Sequence, residues 1–469
     1  MKLRAFLFAV ILLFVPACSE SVKEPAVAGT FYPAEEKALR EMVDGFLAKA
    51  GKFKGAGRPV ALISPHAGYQ YSGQVAAYSY KQIQGTDINT VILIGASHHK
   101  PYTGVSVYAK GSMRTPLGNI KINEKTAKLL LNDKANVVFD AGAFEKEHSL
   151  EVQLPFLQRS LKNFTIVPVL VGTPTRESFR HLTDVLTGVL RKDPRAIVIA
   201  STDLSHYHDD GTARGMDNSV IDSVSRMSYE DLEQKLLTGK GEMCGGFPVI
   251  FTMAVARNMG ANRGELFKYA NSGDVTGDKE RVVGYAAMGL YKTYLTAEEK
   301  TLLLDIAKKT VNDYVSTGKA PEVTGDNPNM LANGATFVTI KKHGELRGCI
   351  GNTRPIMPLY KSVIANSISA AVRDPRFGPL TKQELKDIKV EVTILSPIEP
   401  LNDIKDIVVG KHGLVIVNGD RSGLLLPQVA EEMRWDVKTF LEQLSQKAGL
   451  PPDAWKDSQL YSFTAEVVK

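Results

Sequence analysis

Five side chains able to bind a metal or move a proton stand at the ends of short apolar runs or in a glycine-rich turn. Val60-Ala61-Leu62-Ile63 leads into Ser64-Pro65-His66, and Val91-Ile92-Leu93-Ile94 leads into Gly95-Ala96-Ser97-His98. Ala196-Ile197-Val198-Ile199-Ala200 leads into Ser201-Thr202-Asp203-Leu204-Ser205-His206, and Cys244 lies in Gly241-Glu242-Met243-Cys244-Gly245-Gly246. Imidazole and thiolate are the donors borderline transition metals prefer, and two histidines with one anion leave positions open for substrate, water or dioxygen. A thiolate in the anionic place favours zinc, copper(I) or thiolate-tolerant iron over magnesium or calcium. In this pattern His66, His98 and Cys244 are candidate metal ligands. Asp203 is a candidate orienter and His206 a candidate general acid or base. Tyr69 and Ser97 could add hydrogen bonds to a substrate, and His148 is either another substrate contact or a loop neighbour.

A single histidine near a strand end is most often a half-buried polar cap, and a glycine-flanked cysteine most often a small buried hydrophobe. Three such strand ends in one segment weigh against the bland account.

These residues need a scaffold that brings them together. Short β-branched runs stopping at Gly, Pro or Ser read as buried parallel strands. Open α/β sheets bind ligands beyond the carboxyl ends of their strands, so the three strand ends are expected to face one crevice. Helical spacing of Leu39, Met42, Val43, Phe46 and Leu47, and the stripe Leu150, Leu154, Leu157 and Leu161, alternate with the strands. Pro116-Leu117-Gly118-Asn119 marks a hairpin turn. The expected unit is an α/β domain over residues 26–294 with a central, mostly parallel sheet.

Thr296-Ala297-Glu298-Glu299 reads as a helix N-terminus and opens a second domain, 295–469, with a different grammar. A helix to Thr317 precedes strand Thr336 to Lys342, the turn His343-Gly344, and Leu346-Arg347-Gly348-Cys349-Ile350-Gly351. A helix from Leu359 to Arg373, a strand from Lys389 to Leu395 and two strands around Asn418-Gly419-Asp420 follow, which makes an α+β domain. Glycines on both sides of Cys349 suggest an accessible thiol, a candidate catalytic group with Arg347 lowering its pKa. Arg347 and Arg373 are candidate contacts for an anionic ligand. An inert cysteine in a glycine-rich turn is the alternative.

The chain has 469 residues, more than one core usually supports, and a formal net charge of +6 with no basic block of the kind that marks nucleic-acid binding. Lys2 and Arg4 precede the apolar run Ala5 to Val15 and then Pro16-Ala17-Cys18-Ser19, the layout of an export signal too short for an ordinary membrane span. The resemblance to a bacterial lipobox makes Cys18 the lipidated residue, after a signal over 1–18 and before a polar tether over 19–25. That implies an envelope protein facing the periplasm, with Ser19 favouring the outer membrane. A plain signal peptide, an uncleaved anchor or a cytoplasmic chain are the alternatives. Only Cys244 and Cys349 then remain, each expected to be unpaired.

Ala28-Gly29-Thr30-Phe31-Tyr32-Pro33, Pro65-His66-Ala67-Gly68-Tyr69, Ser97-His98-His99, Glu147-His148-Ser149-Leu150-Glu151, Ser201 to His206 and Cys244-Gly245 resemble, in this order, the Memo family. That family is similar in fold to class III extradiol dioxygenases, non-haem iron enzymes that open catechol-type rings. The resemblance implies His66 and His98 as metal histidines, His206 as acid/base, and Cys244 in the pocket where those dioxygenases have a glutamate. It implies iron or copper ahead of zinc, and chemistry on a small-molecule substrate. The rival readings are a non-catalytic scaffold with a vestigial pocket, and a hydrolase-like zinc enzyme. The second domain, with Phe377, Pro379-Leu380 and Glu391 to Ser396, resembles the AMMECR family. A fusion of the two resembles the bacterial AmmeMemoRadiSam system, which implies a separate radical SAM protein as partner; this chain shows no three-cysteine cluster motif of its own.

Overall fold

The computed structural model of the chain describes residues 21–53, 58–293, 295–323, 327–396, 398–401 and 403–469. Cys18 and the apolar leader lie outside the described residues.

In the first domain the β-branched runs form four adjacent parallel strands, in the order Ala61–Ser64, Ala196–Ser201, Thr90–Ala96 and Thr165–Val171. Every residue of Ala61–Ser64 and Ala196–Ser201 is buried, which explains why these segments are continuously apolar rather than alternating. Helix Gly246–Asn258, buried from Pro248 to Ala256, packs on Ala196–Ser201 and Thr90–Ala96. Parallel neighbours share a carboxyl end, so His66, His98 and Asp203 emerge from the same edge of the sheet.

The outer strands depart from the expected parallel pattern. Val282–Tyr291 runs antiparallel to Ala61–Ser64 and to Arg263–Asn271, and Val105–Val107 runs antiparallel to Thr165–Val171. With His206–His208 on one flank and Val137–Val138 on the other, the nine-stranded sheet is mixed, its parallel block confined to the centre. The connection from Asn271 to Val282 is too short for a covering crossover helix of the usual length, so that pair can only be antiparallel. A small separate sheet joins Val22–Lys23 to the hairpin Ser112–Thr115 and Gly118–Lys121. The residues expected in a tether are thus already strand from Val22.

The second domain begins with helix Ala297–Thr317. Thr296 accepts from the Glu299 N–H, the Glu299 carboxylate takes the Thr296 N–H, and Gly318 ends the helix at φ 75°. This helix packs on helix Leu359–Val372, and both lie on a sheet of seven antiparallel strands. The centre of that sheet is Gln459–Val468, a strand the sequence pattern did not disclose. It pairs with Ile388–Leu395, Glu399–Pro400 and His412–Asn418. Among the described residues no helix is long and apolar enough to cross a membrane.

Candidate metal centre

The hydrogen bonds around His66 determine where its proton sits. The carbonyl of Pro65 can only accept, so the Gln153 atom 2.9 Å from it must be the amide nitrogen. That nitrogen also donates to Ser201 Oγ at 2.8 Å, while Tyr80 OH donates to Gln153 Oε1 at 2.6 Å. Ser201 has one hydrogen, and it goes to the acceptor-only carbonyl of Ser149 at 2.6 Å. The remaining lone pair of Ser201 Oγ faces His66 Nδ1 at 2.9 Å, so Nδ1 carries the proton and Nε2 is left with a free lone pair. Ser201 and Gln153 are both fully buried, so neither has water as a substitute partner.

His98 is fixed in the same sense by a carboxylate. Its Nδ1 donates to Glu147 Oε1 at 2.9 Å, and its backbone N–H donates to Glu147 Oε2 at 2.6 Å. The backbone N–H groups of His148 and Ser149 complete the set on Oε1 at 3.0 and 2.9 Å. Burial opposes ionisation of Glu147, but the bonds and charge from His98 outweigh it and hold the carboxyl well below its usual range. Nδ1 of His206 donates to the Leu204 carbonyl at 2.8 Å. Three imidazoles therefore present Nε2.

Cys244 closes the crevice. Gly245 lies so close to the strand end that an added Cβ would meet Ser201 O at 2.4 Å, and this contact brings the cysteine against the histidines. Its Sγ lies 3.1 Å from His66 Nε2 and accepts the Asp203 N–H at 3.2 Å. With Nδ1 of His66 protonated, the thiol hydrogen bridges Sγ and Nε2. Burial, reinforced by the Asp203 carboxylate, pushes the thiol up, and burial also holds His66 well below the ordinary imidazole value. Asp203 is itself raised by burial, against the hydrogen bond from His66 N at 2.7 Å.

One donor atom from each of His66, His98 and Cys244 lies within 4.8 Å of the others. Tetrahedral coordination with N at about 2.0 Å and S at about 2.3 Å needs donors roughly 3.3–3.8 Å apart, so the set fits an ion after small side-chain movements. Each histidine already donates its second nitrogen to a partner, the arrangement typical of metal-bound imidazole. In a second grouping, His98, Glu147 and His148, the donor atoms lie equally close. Glu147 there already accepts four N–H bonds, so it serves as support for His98 rather than as a separate centre.

The other candidate residues divide clearly. His148 stays at the crevice, its ring 5.4 Å from that of His66 and 4.9 Å from those of His98 and Phe31, with burial lowering its pKa to about 4. Tyr69 is core: its hydroxyl donates to Val152 O at 2.6 Å and its ring packs on Tyr32 and Phe156. Ser97 donates to the Lys100 carbonyl. On the rim, Tyr207 sits at φ 62° between His206 and His208, a conformation uncommon for an aromatic residue. His208 Nε2 meets Glu242 Oε2 at 2.9 Å, and Glu242 Oε1 lies 3.9 Å from His206 Nδ1. The supporting roles of Ser201, Gln153, Glu147 and Glu242 were not assigned from sequence, although Glu147, Gln153 and Ser201 stand beside the histidine motifs.

In the second domain the guanidinium of Arg347 is committed elsewhere than Cys349. It forks onto Glu384 at 3.0 and 3.1 Å and donates to Gly378 O. Asp374 accepts the Cys349 N–H at 2.8 Å and pairs with Arg376, whose Nη2 donates to Cys349 O, while Sγ meets Thr339 Oγ1 at 3.3 Å. The flanking glycines answer to packing: a Cβ at Gly348 would meet Ala370 O at 2.1 Å, and one at Gly351 the Phe337 ring at 2.2 Å. Arg373 lines a separate groove with Tyr314, Lys361, Ile364 and Ile368. Cys244 and Cys349 are both free thiols.

Comparison with known proteins finds two families in succession along the chain. A family model described as Memo-like protein matches residues 23–289, and one described as AMMECR1 matches residues 304–468. A MEMO1 family protein of Methanobrevibacter smithii is 38% identical over 282 residues, covering 58% of this chain and 100% of that protein. Another, from Aquifex aeolicus, is 39% identical over 272 residues, covering 57% and 98%. The crystal structure of the uncharacterized protein PH0010 from Pyrococcus horikoshii is 39% identical, covers 37% of this chain and 92% of that one, and superposes with a TM-score of 0.35.

Proposed function

The chain belongs to the Memo-like protein family and carries an AMMECR1 domain behind it, and on that premise we propose a metal-dependent protein acting on a small molecule at the crevice. The observation that carries this is the pinning of Nδ1 in both His66 and His98, which leaves both Nε2 lone pairs free in a cluster where Cys244 Sγ lies 3.1 Å from His66 Nε2. When bound, an iron or copper ion there would supply Lewis-acid or redox chemistry to a ligand in its open positions. The protein's own part is positional. Ser201 and Glu147 hold the imidazoles in one tautomer, and Asp203 holds the His66 backbone. Nε2 of His206, left free by the bond from Nδ1 to Leu204, is the group that takes a proton from the substrate in this reading. His148, kept neutral by burial, offers a hydrogen bond without adding charge. Replacement of a carboxylate ligand by a thiolate supports metal binding more strongly than ring cleavage. Pairing of the two domains in one chain supports a place in an AmmeMemoRadiSam-type system, with a radical SAM protein as partner.

Metal analysis of anaerobically purified protein tests the reading. Wild type should hold close to one equivalent of a transition metal, and His66→Ala and Cys244→Ser should each lose most of it. Wild-type stoichiometry near zero under conditions that preserve iron(II) and copper(I) would leave the scaffold account in its place. With metal present, oxygen uptake on a catechol panel separates dioxygenase chemistry from other reactions.

A further inference from the structure

The first described residues are held tightly against the domain. Val22–Lys23 pairs with Ser112–Thr115, and the buried Glu151 carboxylate accepts from Lys23 Nζ, Ala26 N, Val27 N and Tyr32 OH at 2.9, 2.6, 2.9 and 2.7 Å. Gly111 lies so close to Ser21 that an added Cβ would meet Ser21 O at 2.0 Å. Three residues span at most about 11 Å at ~3.6 Å each, so a lipid on Cys18 would hold the surface around Ser21 almost at the bilayer.

That surface has a distinctive charge. Between residues 110 and 134 there are six Lys and Arg against two acidic residues; Arg114 pairs with the exposed Glu24 at 2.9 Å and Lys128 with Glu124 at 3.5 Å, which leaves Lys110, Lys121 and Lys125 as the main basic excess. Arg114 and Lys121 are exposed, and their registers, Arg114 with Asn119 and Lys121 with Ser112, put both on the outer face of the small sheet. Lys110 adjoins Gly111, and helix Glu124–Leu130 adds exposed Lys125 and Lys128. This helix is tied to the exit point, because Glu124 Oε1 accepts the Gly111 N–H at 3.2 Å. Leu129 on the same helix is 56% exposed.

We infer that this face, the sheet around Ser21 together with helix Glu124–Leu130, is a membrane-contacting surface whose partner is an anionic phospholipid bilayer. The inference rests on the lipid-anchor reading of Cys18 for its biological setting, but the face can be tested without it. Basic side chains held beside an anionic bilayer each contribute to binding, within roughly a Debye length of the surface.

The processed, unlipidated chain (residues 19–469) is sedimented with vesicles of phosphatidylcholine alone or with 30% phosphatidylglycerol. Binding is expected only to the anionic vesicles at low salt. It should fall about tenfold or more in 0.5 M salt and in the variant Lys110→Glu, Lys121→Glu, Lys125→Glu, Lys128→Glu. A control, Lys438→Glu with Lys447→Glu on an exposed surface of the second domain, should bind as wild type. Circular dichroism shows whether the fourfold variant is folded; an unfolded one is replaced by the Lys121→Gln, Lys125→Gln pair, expected to lose severalfold. Equal binding to neutral vesicles, no binding to anionic ones, or undiminished binding of the folded variant overturns the inference. Cell fractionation of the full chain with Cys18→Ser separately tests the anchor: release from membranes supports it, and unchanged fractionation refutes it.

Discussion

Replacing Ser201 by Ala removes one oxygen and disturbs three partners. His66 Nδ1–H and the Gln153 amide lose an acceptor, and the Ser149 carbonyl loses a donor, all in a fully buried position. Each unsatisfied buried group costs about 1–3 kcal/mol, and since the three share one site we expect a loss of roughly 2–4 kcal/mol in unfolding free energy. The effect on metal binding is separable. Without an acceptor on Nδ1 both tautomers of His66 become comparable, which by itself lowers affinity only about twofold. Losing ring orientation and the basicity lent by the hydrogen bond brings the total to about 10–100-fold. Competition of cobalt(II) against a chromophoric chelator measures this, with the thiolate-to-cobalt band reporting Cys244 directly. The assay is run where circular dichroism shows both proteins folded. Affinity within twofold of wild type in Ser201→Ala, beside a clear loss in His66→Ala, would falsify the tautomer argument.

Other perturbations reach the remaining supports. Glu147→Gln should lower cobalt affinity about tenfold and lower the melting temperature, because an amide cannot accept all four N–H bonds the carboxylate takes; an unchanged affinity would remove Glu147 from the centre. In the second domain, side-chain hydrogen bonds from Arg376 and Arg347 hold Asp374 and Glu384 well below the usual carboxylate range. Their contribution to stability is therefore present above the unfolded-state values near pH 4 and is lost as pH falls toward the depressed folded values. Urea titrations of wild type, Asp374→Asn and Glu384→Gln from pH 5 to pH 2 should show the steepest acid loss in wild type, and equal slopes would contradict the pairing. Gly348→Ala drives a methyl into the Ala370 carbonyl and should cost about 1–3 kcal/mol in the second domain, read by urea unfolding, with cobalt binding to the first domain unaffected.

Much of the architecture was legible because it follows from local rules. The β-branched runs read as buried strands and are strands, and their shared carboxyl edge brings His66, His98 and Asp203 together. Thr296-Ala297-Glu298-Glu299 announced a helix start through its acidic first turn, and the structure adds a reciprocal capping pair between Thr296 and Glu299. What stayed hidden depends on tertiary contact. Ser201 was visible only as part of a motif; that it receives His66 and not solvent follows from Gln153 arriving from a different segment. Tyr69 adjoins a histidine motif, yet as the first residue of helix Tyr69–Ile83 it turns its hydroxyl to Val152 in the core. The glycines around Cys349 suggested an open thiol, whereas a helix carbonyl and a phenyl ring are what exclude side chains there. Strand Gln459–Val468 was missed because its partners lie some 40 to 75 residues earlier in the chain.

The donors of the centre are far apart along the chain: His66 and Cys244 lie 178 positions from one another. Nothing shorter than the stretch between them can bring them together, and strand Val282–Tyr291, which pairs with Ala61–Ser64 at the edge of that block, follows later still. During synthesis the donor set is complete only after Cys244 has left the ribosome, so the site forms by long-range contact. A chain that crosses a membrane unfolded would arrive with no ion aboard and would choose among those on the far side. The compartment in which folding finishes, as much as the softness of the donors, would then decide which metal could enter the site.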